Sequence, residues 1–347
     1  MPTISSAKLT HLSREIFAAA GCPRDIAETV AVALVSANLS GHDSHGVIRI
    51  PSYLEKIDIG EVVPDARPTL ARSPGAVRIV DGNHAFGQVV APFGADQAVD
   101  AARAFGIGCA VLTRVNHIGR AGDYAERIAL EGLVGLVFTS GSMIGPQVTI
   151  HGGRDRLFTT NPYAWAVPRG DGRPPLLIDC ATAAISGGKV MVAIENEAQV
   201  PAGCLLDANG QPTRNPNDLR AGGALLPFGD YKGSGLMMMI ELTATLFGGY
   251  APVSSENFRP GNPTVLTAWS IDAFCTPDRF EEEVEALCAR IKKSGVADGF
   301  DEILLPGEPE NRSRREKGEH GIDLPDPVWR SVQKAAEGLG VDLTGLK

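Results

Sequence analysis

The chain has 347 residues, enough for two closely packed domains, since single domains commonly run to about 100–200 residues. Hydrophobic residues make up 44% of it and charged residues 21%, which is typical of globular proteins and excludes disordered or fibrous classes. The formal net charge is -9, and no run of lysine or arginine forms a stripe that would neutralise a phosphate backbone. We therefore expect no nucleic-acid partner.

The six cysteines are spread along the chain, mostly in apolar segments, without a Cys-x-x-Cys pair: Cys22, Cys109, Cys180, Cys204, Cys275 and Cys288. This pattern predicts reduced thiols and neither a disulfide framework nor a zinc site. Residues 1–20 lack the basic start and apolar run of a signal peptide, and no apolar run reaches the roughly 18 residues of a membrane span. We expect a cytoplasmic location and no membrane partner.

The N-terminal part has helical periodicity. Apolar residues recur at three- and four-residue spacing from Leu9 to Phe17, and again from Ile26 to Leu34 after Pro23. A turn-rich stretch follows, and the β-type segment Val77–Val80 then begins a different pattern. We place a domain boundary near residue 70.

Beyond that boundary, predicted strands and helices alternate. The helices are Phe93–Ala104, Arg120–Glu131, Ser234–Phe247 and Asp278–Lys293, and the strands are Ile107–Leu112, Val134–Thr139, Tyr163–Val167, Leu176–Asp179 and Val265–Ile271. Proline, glycine and charged residues from Leu305 to Leu324 predict an extended, wrapping tail before a closing helix. The fold class is therefore α/β.

A dinucleotide fold of the Rossmann type is excluded by its missing fingerprint. That fold needs Gly-x-Gly-x-x-Gly after a strand, because backbone amides must approach a pyrophosphate. The pairs Gly106–Gly108 and Gly233–Gly235 lack the third glycine, since Val111 and Met238 stand there. Phosphate loops of the Walker type and the HExxH zinc motif are also absent.

The segment from Asp43 to Arg49 gathers a hydroxyl, an imidazole and a guanidinium. If Ser44 caps a short helix, His45 and Arg49 lie four residues apart on one face. Reduction of a carbonyl beside a carboxylate needs an acid for the oxygen and a planar fork for the carboxylate. The alternative is a helix cap with a solvated arginine, and spacing alone leaves both open.

Other chemistries find less support in this segment. His42 and His45 are three residues apart, but no cysteine or carboxylate cluster completes a metal site, so we expect no metal. Ser44 beside His45 lacks the Gly-x-Ser-x-Gly elbow of a serine hydrolase.

Small polar residues also cluster where predicted strands end. Asn116–Gly119, which contains His117, follows one strand, and Thr159–Pro162 and Asp179–Thr182 are similar clusters. Ligands usually bind at this side of an α/β sheet. A lone histidine at such a turn is also commonly a structural hydrogen-bonding group, and each cluster alone indicates only a loop.

Seven segments, taken in order, resemble the malate/L-lactate dehydrogenase family that is unrelated to the Rossmann-type enzymes. They are GHDSHGVIRIPSYLEKIDIG, FGQ at Phe86–Gln88, VNHIGRAGDYAERIALEGLVGL, TTNPYAWAVP, LIDCATAAISGGK, LPFGDYKGSGL and LPGEPE, and they span nearly the whole chain. The same family contains ureidoglycolate, sulfolactate, diketogulonate and cyclic-imine oxidoreductases.

The resemblance implies a particular architecture. Residues 71–275 would form a non-Rossmann mixed-sheet domain that binds NAD or NADP, packed on a helical domain made of residues 1–70 and 276–347. It also implies a homodimer with the active site between the subunits and a small carboxylate as substrate.

The resemblance also implies residue roles. His45 would be the proton donor, Ser44 its hydrogen-bonding neighbour and Arg49 the substrate clamp, while some family members use the histidine that matches His117 as the base. Further substrate contacts would be Thr160, Gly187 and Gly188. The cofactor contacts would be His117, Ile118, Gly119, Arg120, Ala121, Ser140, Asp179, Cys180, Ala181, Lys232, Gly307 and Glu308.

Two departures from the family pattern concern specificity. Arg120 and Asp123 stand where many relatives carry alanine and an aromatic residue, and Lys189 stands where the imine reductases place an acid. We predict hydride transfer between NAD(P) and a small 2-hydroxy acid such as malate or lactate. The alternative is a ureidoglycolate dehydrogenase or a reductase of cyclic imines, while a catalytically silent relative would require loss of the site residues.

Overall fold

The computed structural model describes residues 1–141, 145–195 and 197–343. The strands are β1 (Thr3–Ile4), β2 (Thr69–Arg72), β3 (Val77–Asp81), β4 (Ile107–Thr113), β5 (Leu133–Thr139), β6 (Tyr163–Val167), β7 (Leu176–Cys180), β8 (Leu205–Leu206), β9 (Pro212–Thr213), β10 (Ala224–Leu225), β11 (Thr264–Ser270) and β12 (Ile322–Asp323). The helices are α1 (Ser6–Ala19), α2 (Arg24–Leu39), α3 (Ile50–Asp58), α4 (Gly87–Phe105), α5 (Ala121–Leu130), α6 (Gly187–Glu195), α7 (Asn217–Arg220), α8 (Tyr231–Phe247), α9 (Pro277–Lys292), α10 (Glu308–His320) and α11 (Asp326–Gly338).

A seven-stranded mixed sheet organises the middle of the chain, in the order β2-β3-β4-β11-β5-β6-β7. Among the described residues, β3 and β4 are its parallel neighbours, and the other neighbours are antiparallel. Parallel strands need a crossover, which here is α4. The predicted mixed α/β character is confirmed, and the strand order differs from a doubly wound sheet because β11 lies between β4 and β5.

Helices α4 and α5 cover one face of this sheet. Their close approach depends on glycine in the strands beneath them. A side chain at Gly108 would collide with the backbone of α4, and a Cβ at Gly135 would lie 2.7 Å from the carbonyl oxygen of Ala125 in α5. The resulting core contains mainly alanine, valine and leucine.

A second core joins the N-terminal helices to the C-terminal end of the chain. Leu9, Phe17 and Leu34 of α1 and α2 pack with Val332 of α11, and all four are fully buried. The pairing of β1 with β12 links the two ends of the chain. The predicted helical periodicity of the first forty residues is confirmed by α1 and α2.

A third core lies around the small sheet β10-β8-β9, with α6, α7 and α8. Its fully buried members include Val148, Val190 and Met237. Among the described residues, no helix is long and apolar enough to cross a membrane.

The predicted extended tail is wrong, because residues 308–320 form α10. Gly307, with a φ of 89°, precedes the helix, and Pro309 lies in its first turn, where proline is tolerated. The helix is polar on all sides, so it shows no apolar periodicity. Arg314 and Lys317 dock it by binding Glu126 of α5 and the carbonyl oxygen of Asn38 in α2.

Candidate active site

Two short 3-10 turns, Asp43–His45 and Val47–Arg49, carry the hydroxyl, imidazole and guanidinium. They are separated by Gly46, where any side chain would collide with the amide of Asn38. The expectation that Ser44 caps a helix is wrong, since it lies inside the first turn. Pro51 lies in the first turn of α3, so it does not disturb that helix.

Asn38 of α2 holds these two turns in place. Its side chain is buried, accepts a hydrogen bond from the backbone N–H of Val47 (2.9 Å) and donates one to the carboxylate of Asp43 (2.6 Å). The sequence pattern gave no signal for this role, because an asparagine inside an apolar helix belongs to no motif.

The structure brings His45 and His117 together from distant parts of the chain. Their rings stack with centroids 5.6 Å apart and an interplanar angle of 17°. The Nδ1 atom of each ring contacts a hydroxyl: Ser44 Oγ at 2.9 Å for His45, and Tyr53 OH at 2.7 Å for His117. Neither Nε2 atom hydrogen-bonds to any described residue, so both are available to a ligand.

Burial, assisted by nearby positive charge, disfavours the protonated form of both imidazoles. Burial lowers the pKa of His45 to about 3, and the charges of Arg49, His42 and Arg120 act in the same direction. Burial likewise lowers the pKa of His117 well below its ordinary value, with Arg49, His45 and Lys56 contributing. Both residues are half-buried as a whole.

Arg49 stands beside the histidine pair with most of its guanidinium free. Its Nε donates to the carbonyl oxygen of Ser44 at 2.6 Å, which fixes the side-chain direction. Its two Nη groups make no hydrogen bond with the described residues. Two parallel N–H groups match a carboxylate in geometry and charge.

Of the other predicted substrate contacts, the glycine pair reaches this centre. Gly187 and Gly188 begin α6, and a Cβ at Gly188 would lie 2.7 Å from Cβ of Ser44. Thr160 binds Thr182 through its carbonyl oxygen, and within the described part of the chain no hydrogen bond joins it to the histidine pair.

Charged residues gather at the N-terminus of α5, directly after His117. The Arg120 side chain has no exposed surface; its Nη1 lies 2.7 Å from Asp123 and its Nε 3.2 Å from Asp179. Asp179 also accepts from the backbone N–H of Gly122 at 2.9 Å. Burial raises the pKa of Asp123, although Arg120 opposes the shift.

This cluster fits a dinucleotide. Arg120 Nη2 is buried and has no hydrogen-bond partner, although such a donor ordinarily finds one. It lies near Gly122 in the first turn of α5, where the helix dipole favours an anion. The Asp179 carboxylate beside it can accept hydrogen bonds from ribose hydroxyls. Phosphate oxygens and ribose together match this donor and acceptor set.

A buried polar network connects further predicted cofactor residues. Ser140 Oγ donates to Glu241 of α8 (2.5 Å), and the backbone carbonyl of Ser140 accepts from the amide of Asn262 (2.7 Å). Asn262 in turn accepts from the backbone N–H of Ile118 (3.0 Å). Asn161 also donates to Glu241 (2.9 Å). Sequence reasoning missed Glu241 and Asn262, whereas Asn161 belongs to the polar cluster Thr159–Pro162 that was noted at a strand end.

The remaining predicted cofactor residues lie at different depths. Cys180 and Ala181, after Asp179, are half-buried at the end of β7. Gly307 packs on Leu177 of the same strand, since its Cβ position lies 3.3 Å from Leu177 Cβ. Glu308 binds Lys292, whereas Lys232 is exposed in the first turn of α8. The structure therefore brings the Gly307 turn, but not the Lys232 side chain, against the strand that carries Asp179.

Comparison with known proteins places this site in a family. The family model described as malate/L-lactate dehydrogenase matches residues 4–333. The chain is 36% identical over 334 residues to hydroxycarboxylate dehydrogenase B of Escherichia coli O157:H7, covering 94% of this chain and 91% of the relative. It is 34% identical to the L-lactate dehydrogenase of Cupriavidus necator, covering 97% and 98% respectively.

A solved structure agrees with these sequence matches. A putative malate/lactate dehydrogenase from E. coli superimposes with a TM-score of 0.94 at 34% identity, covering 100% of this chain and 98% of the other. The chain belongs to the malate/L-lactate dehydrogenase family, and it is an NAD(P)-dependent dehydrogenase of 2-hydroxycarboxylates.

Proposed function

We propose that the chain interconverts a small 2-oxo acid and its 2-hydroxy acid, such as malate or lactate, at the stacked histidine pair beside Arg49. The observation that carries this proposal is the combination of two Nε2 atoms with an adjacent guanidinium, since neither the Nε2 atoms nor the Nη groups hydrogen-bond to a described residue. A 2-oxo acid presents a carbonyl oxygen next to a carboxylate, which are the two groups that this arrangement binds.

Each side chain has a distinct task in this reaction. Arg49 binds the carboxylate through its Nη groups and orients the oxo carbon. When bound, the nicotinamide supplies the hydride for reduction and takes it back in oxidation. His45 gives a proton to the former oxo oxygen in reduction and recovers it in oxidation. Ser44 supports both states, because a hydroxyl can donate to Nδ1 or accept from it.

The segment His117–Ala121, together with Ser140 and the strand-end residues Asp179–Ala181, would hold NAD or NADP. The unpaired Arg120 Nη2 would meet the phosphates and Asp179 the ribose. Gly307 and Glu308 would border this site because they lie against β7. Lys232 would complete it from the exposed end of α8.

We further propose a homodimer with a shared site, in which residues 71–275 form the cofactor domain and residues 1–70 with 276–347 the helical domain. An apolar stripe on α8 supports the dimer: its exposed members are Tyr231, Met238, Met239, Leu246 and Phe247. Lys232 lies beside this stripe, so a subunit that covers the stripe would bring a second chain to the cofactor. We keep the cytoplasm as the expected location.

The proposal is tested by NAD(P)H oxidation with a panel of 2-oxo acids and cyclic imines, and by NAD(P)+ reduction with ureidoglycolate. We expect the highest kcat/KM for a 2-oxo mono- or dicarboxylate.

The variant Arg49→Lys tests the carboxylate contact. The charge stays but the planar fork is lost, so KM should rise about 10–100-fold, which corresponds to the loss of a hydrogen bond to a charged group. An unchanged KM in this variant would exclude the clamp.

A further inference from the structure

Tyr53 connects the catalytic pair to α4 through a hydroxyl with two partners. The residue is buried on α3, and its ring packs against Phe17 and Phe86. Its hydroxyl lies 2.7 Å from Nε2 of Gln88 and 2.7 Å from Nδ1 of His117. Neither the family resemblance nor the sequence motifs give Tyr53 a role.

The directions of these two hydrogen bonds follow from counting hydrogens. The Gln88 amide nitrogen can only donate, so the Tyr53 oxygen accepts from it. The opposite orientation of the amide would reverse both hydrogen bonds, because Gln88 Oε1, which is buried with no hydrogen-bond partner among the described residues, would then accept from Tyr53. With Nε2 of Gln88 against Tyr53, the single hydroxyl hydrogen of Tyr53 is left for His117, whose Nδ1 is then an unprotonated acceptor. A neutral imidazole with a bare Nδ1 carries its hydrogen on Nε2.

His45 is held differently. Its Nδ1 contacts Ser44 Oγ, and the Ser44 side chain has no second hydrogen-bond partner among the described residues. The serine hydroxyl can therefore rotate to donate to Nδ1 or accept from it. His45 can gain and lose a proton without breaking this contact, whereas protonation of Nδ1 in His117 would break the Gln88–Tyr53–His117 chain.

We propose that Tyr53, oriented by Gln88, is a positioning residue that holds His117 neutral with its proton on Nε2. His117 then serves as a fixed hydrogen-bond donor to the substrate oxygen, and His45 alone exchanges protons. This inference rests on the proposed function in one respect, namely that a 2-oxo acid binds at the histidine pair. The fixed protonation state of His117 itself does not depend on the substrate.

The surrounding charges favour the same state. Arg49, Lys56 and His45 all act against a protonated His117, and burial has the largest effect in lowering its pKa. Lys56 is paired with Glu61 at 2.5 Å. Burial raises the pKa of Tyr53 to about 12, so its hydroxyl keeps the hydrogen that His117 accepts.

The first test is ¹⁵N NMR of the imidazole nitrogens in histidine-labelled full-length protein without substrate. The seven histidines are distinguished by the loss of one signal pair in His117→Gln. We expect His117 to show an unprotonated Nδ1 and a protonated Nε2 from below pH 6 to above pH 8. A protonated Nδ1 in the wild-type protein would overturn the proposal.

Two variants test whether Tyr53 and Gln88 cause this state. Tyr53→Phe removes only the hydroxyl, and Gln88→Leu removes the amide that orients it; each should give a mixture of the two His117 tautomers. Tyr250→Phe is the matched control, because this hydroxyl accepts from the backbone N–H of Val115 and hydrogen-bonds to neither His45 nor His117. If both variants keep the wild-type tautomer, Tyr53 does not position His117.

Kinetics with the best 2-oxo acid then test the role in the reaction. Loss of the oriented donor in Tyr53→Phe and Gln88→Leu should lower kcat about 10-fold while KM, set by Arg49, changes less than threefold. A rise in KM without a fall in kcat would contradict this positioning role. If no 2-oxo acid is a substrate but NMR shows the expected tautomer, the proposed function fails and the positioning of His117 stands.

Discussion

At the scale of single residues, one guanidinium serves the site in two opposing ways. In the proposed reaction Arg49 binds the substrate carboxylate, yet in the free protein its charge adds to the effect of burial in lowering the pKa of His45. A bound carboxylate would neutralise Arg49 and so favour protonation of His45. We therefore expect binding of the 2-oxo acid and protonation of His45 to be coupled through Arg49, which would favour reduction only after the 2-oxo acid is bound.

The first prediction concerns pH. Because the pKa of His45 is about 3, its protonated fraction in the free protein falls tenfold for each pH unit above about 4. We expect kcat/KM for reduction to fall about tenfold per unit between pH 5 and pH 8, and kcat/KM for oxidation to show no such slope.

The control for this profile is His45→Ala. We expect turnover to drop about 10²–10⁴-fold and the slope in reduction to disappear. A profile for the wild type that stays flat to pH 7 in reduction would show that His45 is not the proton donor, and near-normal turnover in His45→Ala would transfer that role to His117.

A second prediction at this scale concerns Lys189. It is exposed on α6 and follows Gly188, which packs on Ser44. A positive charge there disfavours a protonated cyclic imine, so we expect a preference for open-chain 2-oxo acids. Lys189→Asp should shift the ratio of catalytic efficiencies towards a cyclic imine by about tenfold. An exposed charge contact contributes about 1 kcal/mol or less, and the substitution turns a repulsion of the cationic imine into an attraction.

The matched control is Lys334→Asp on α11, which makes the same charge change at an exposed position of another helix. A wild-type preference for the imine would refute the prediction. An unchanged ratio in Lys189→Asp would show that Lys189 does not cause the preference.

At the scale of elements, the sequence predicted the helices and strands whose apolar residues recur because one face is buried in a core. Strand β6 was placed at its observed bounds, and β4, β5, β7 and β11 within one or two residues, because their apolar runs face the core. Helix α10 was missed, since a polar helix that docks through Arg314 and Lys317 carries no periodic signal. The short strands β8, β9 and β10 were also missed, because two-residue strands are defined by pairing and not by composition.

The same division applies to the site. His45, Ser44 and His117 were identified from motifs, and the structure brings them together. Tyr53, Asn38 and Glu241 were not, because each acts through one contact made by folding between distant segments. A polar side chain within a helix does not show from sequence alone which distant segment it will contact.

The prediction at this scale concerns the contact between α6 and the catalytic turn. A Cβ at Gly188 would lie 2.7 Å from Ser44 Cβ, so Gly188→Ala must displace one of the two elements. Overpacking of this kind costs about 1–3 kcal/mol, but here the strain acts on the Ser44–His45 contact. We expect turnover to fall at least tenfold with only a small fall in Tm.

Gly338→Ala is the control, because this helical glycine has open space around its Cβ position. It should leave both activity and stability within about 1 kcal/mol of the wild type. Full activity of Gly188→Ala would show that α6 does not touch the catalytic turn.

At the scale of the whole molecule, large apolar surfaces remain without cover in a single chain. Trp165 and Ile178 on the sheet are each 40% exposed, and Trp165 meets Trp269 edge to face. Helix α8 is apolar on nearly all sides, although a helix of that kind is normally buried. Contiguous exposed apolar residues on a globular protein mark interaction surfaces when they form a large patch.

The last prediction uses this stripe. Because Met238 and Leu246 project from the exposed face of α8, Met238→Glu and Leu246→Glu should place charges inside the proposed subunit contact, where an unpaired charge is strongly unfavourable. We expect both variants to sediment as monomers and to lose activity in parallel with dimerisation, since the partner would complete the site beside Lys232.

Leu130→Glu is the matched control. Leu130 is 70% exposed at the end of α5, away from the stripe, and the variant should remain dimeric and active. Dilution of the wild type through the dimer dissociation constant should reproduce the loss without any mutation. A variant that is monomeric by sedimentation yet fully active would rule out the shared site, and a wild-type chain that is monomeric at all concentrations would rule out the dimer.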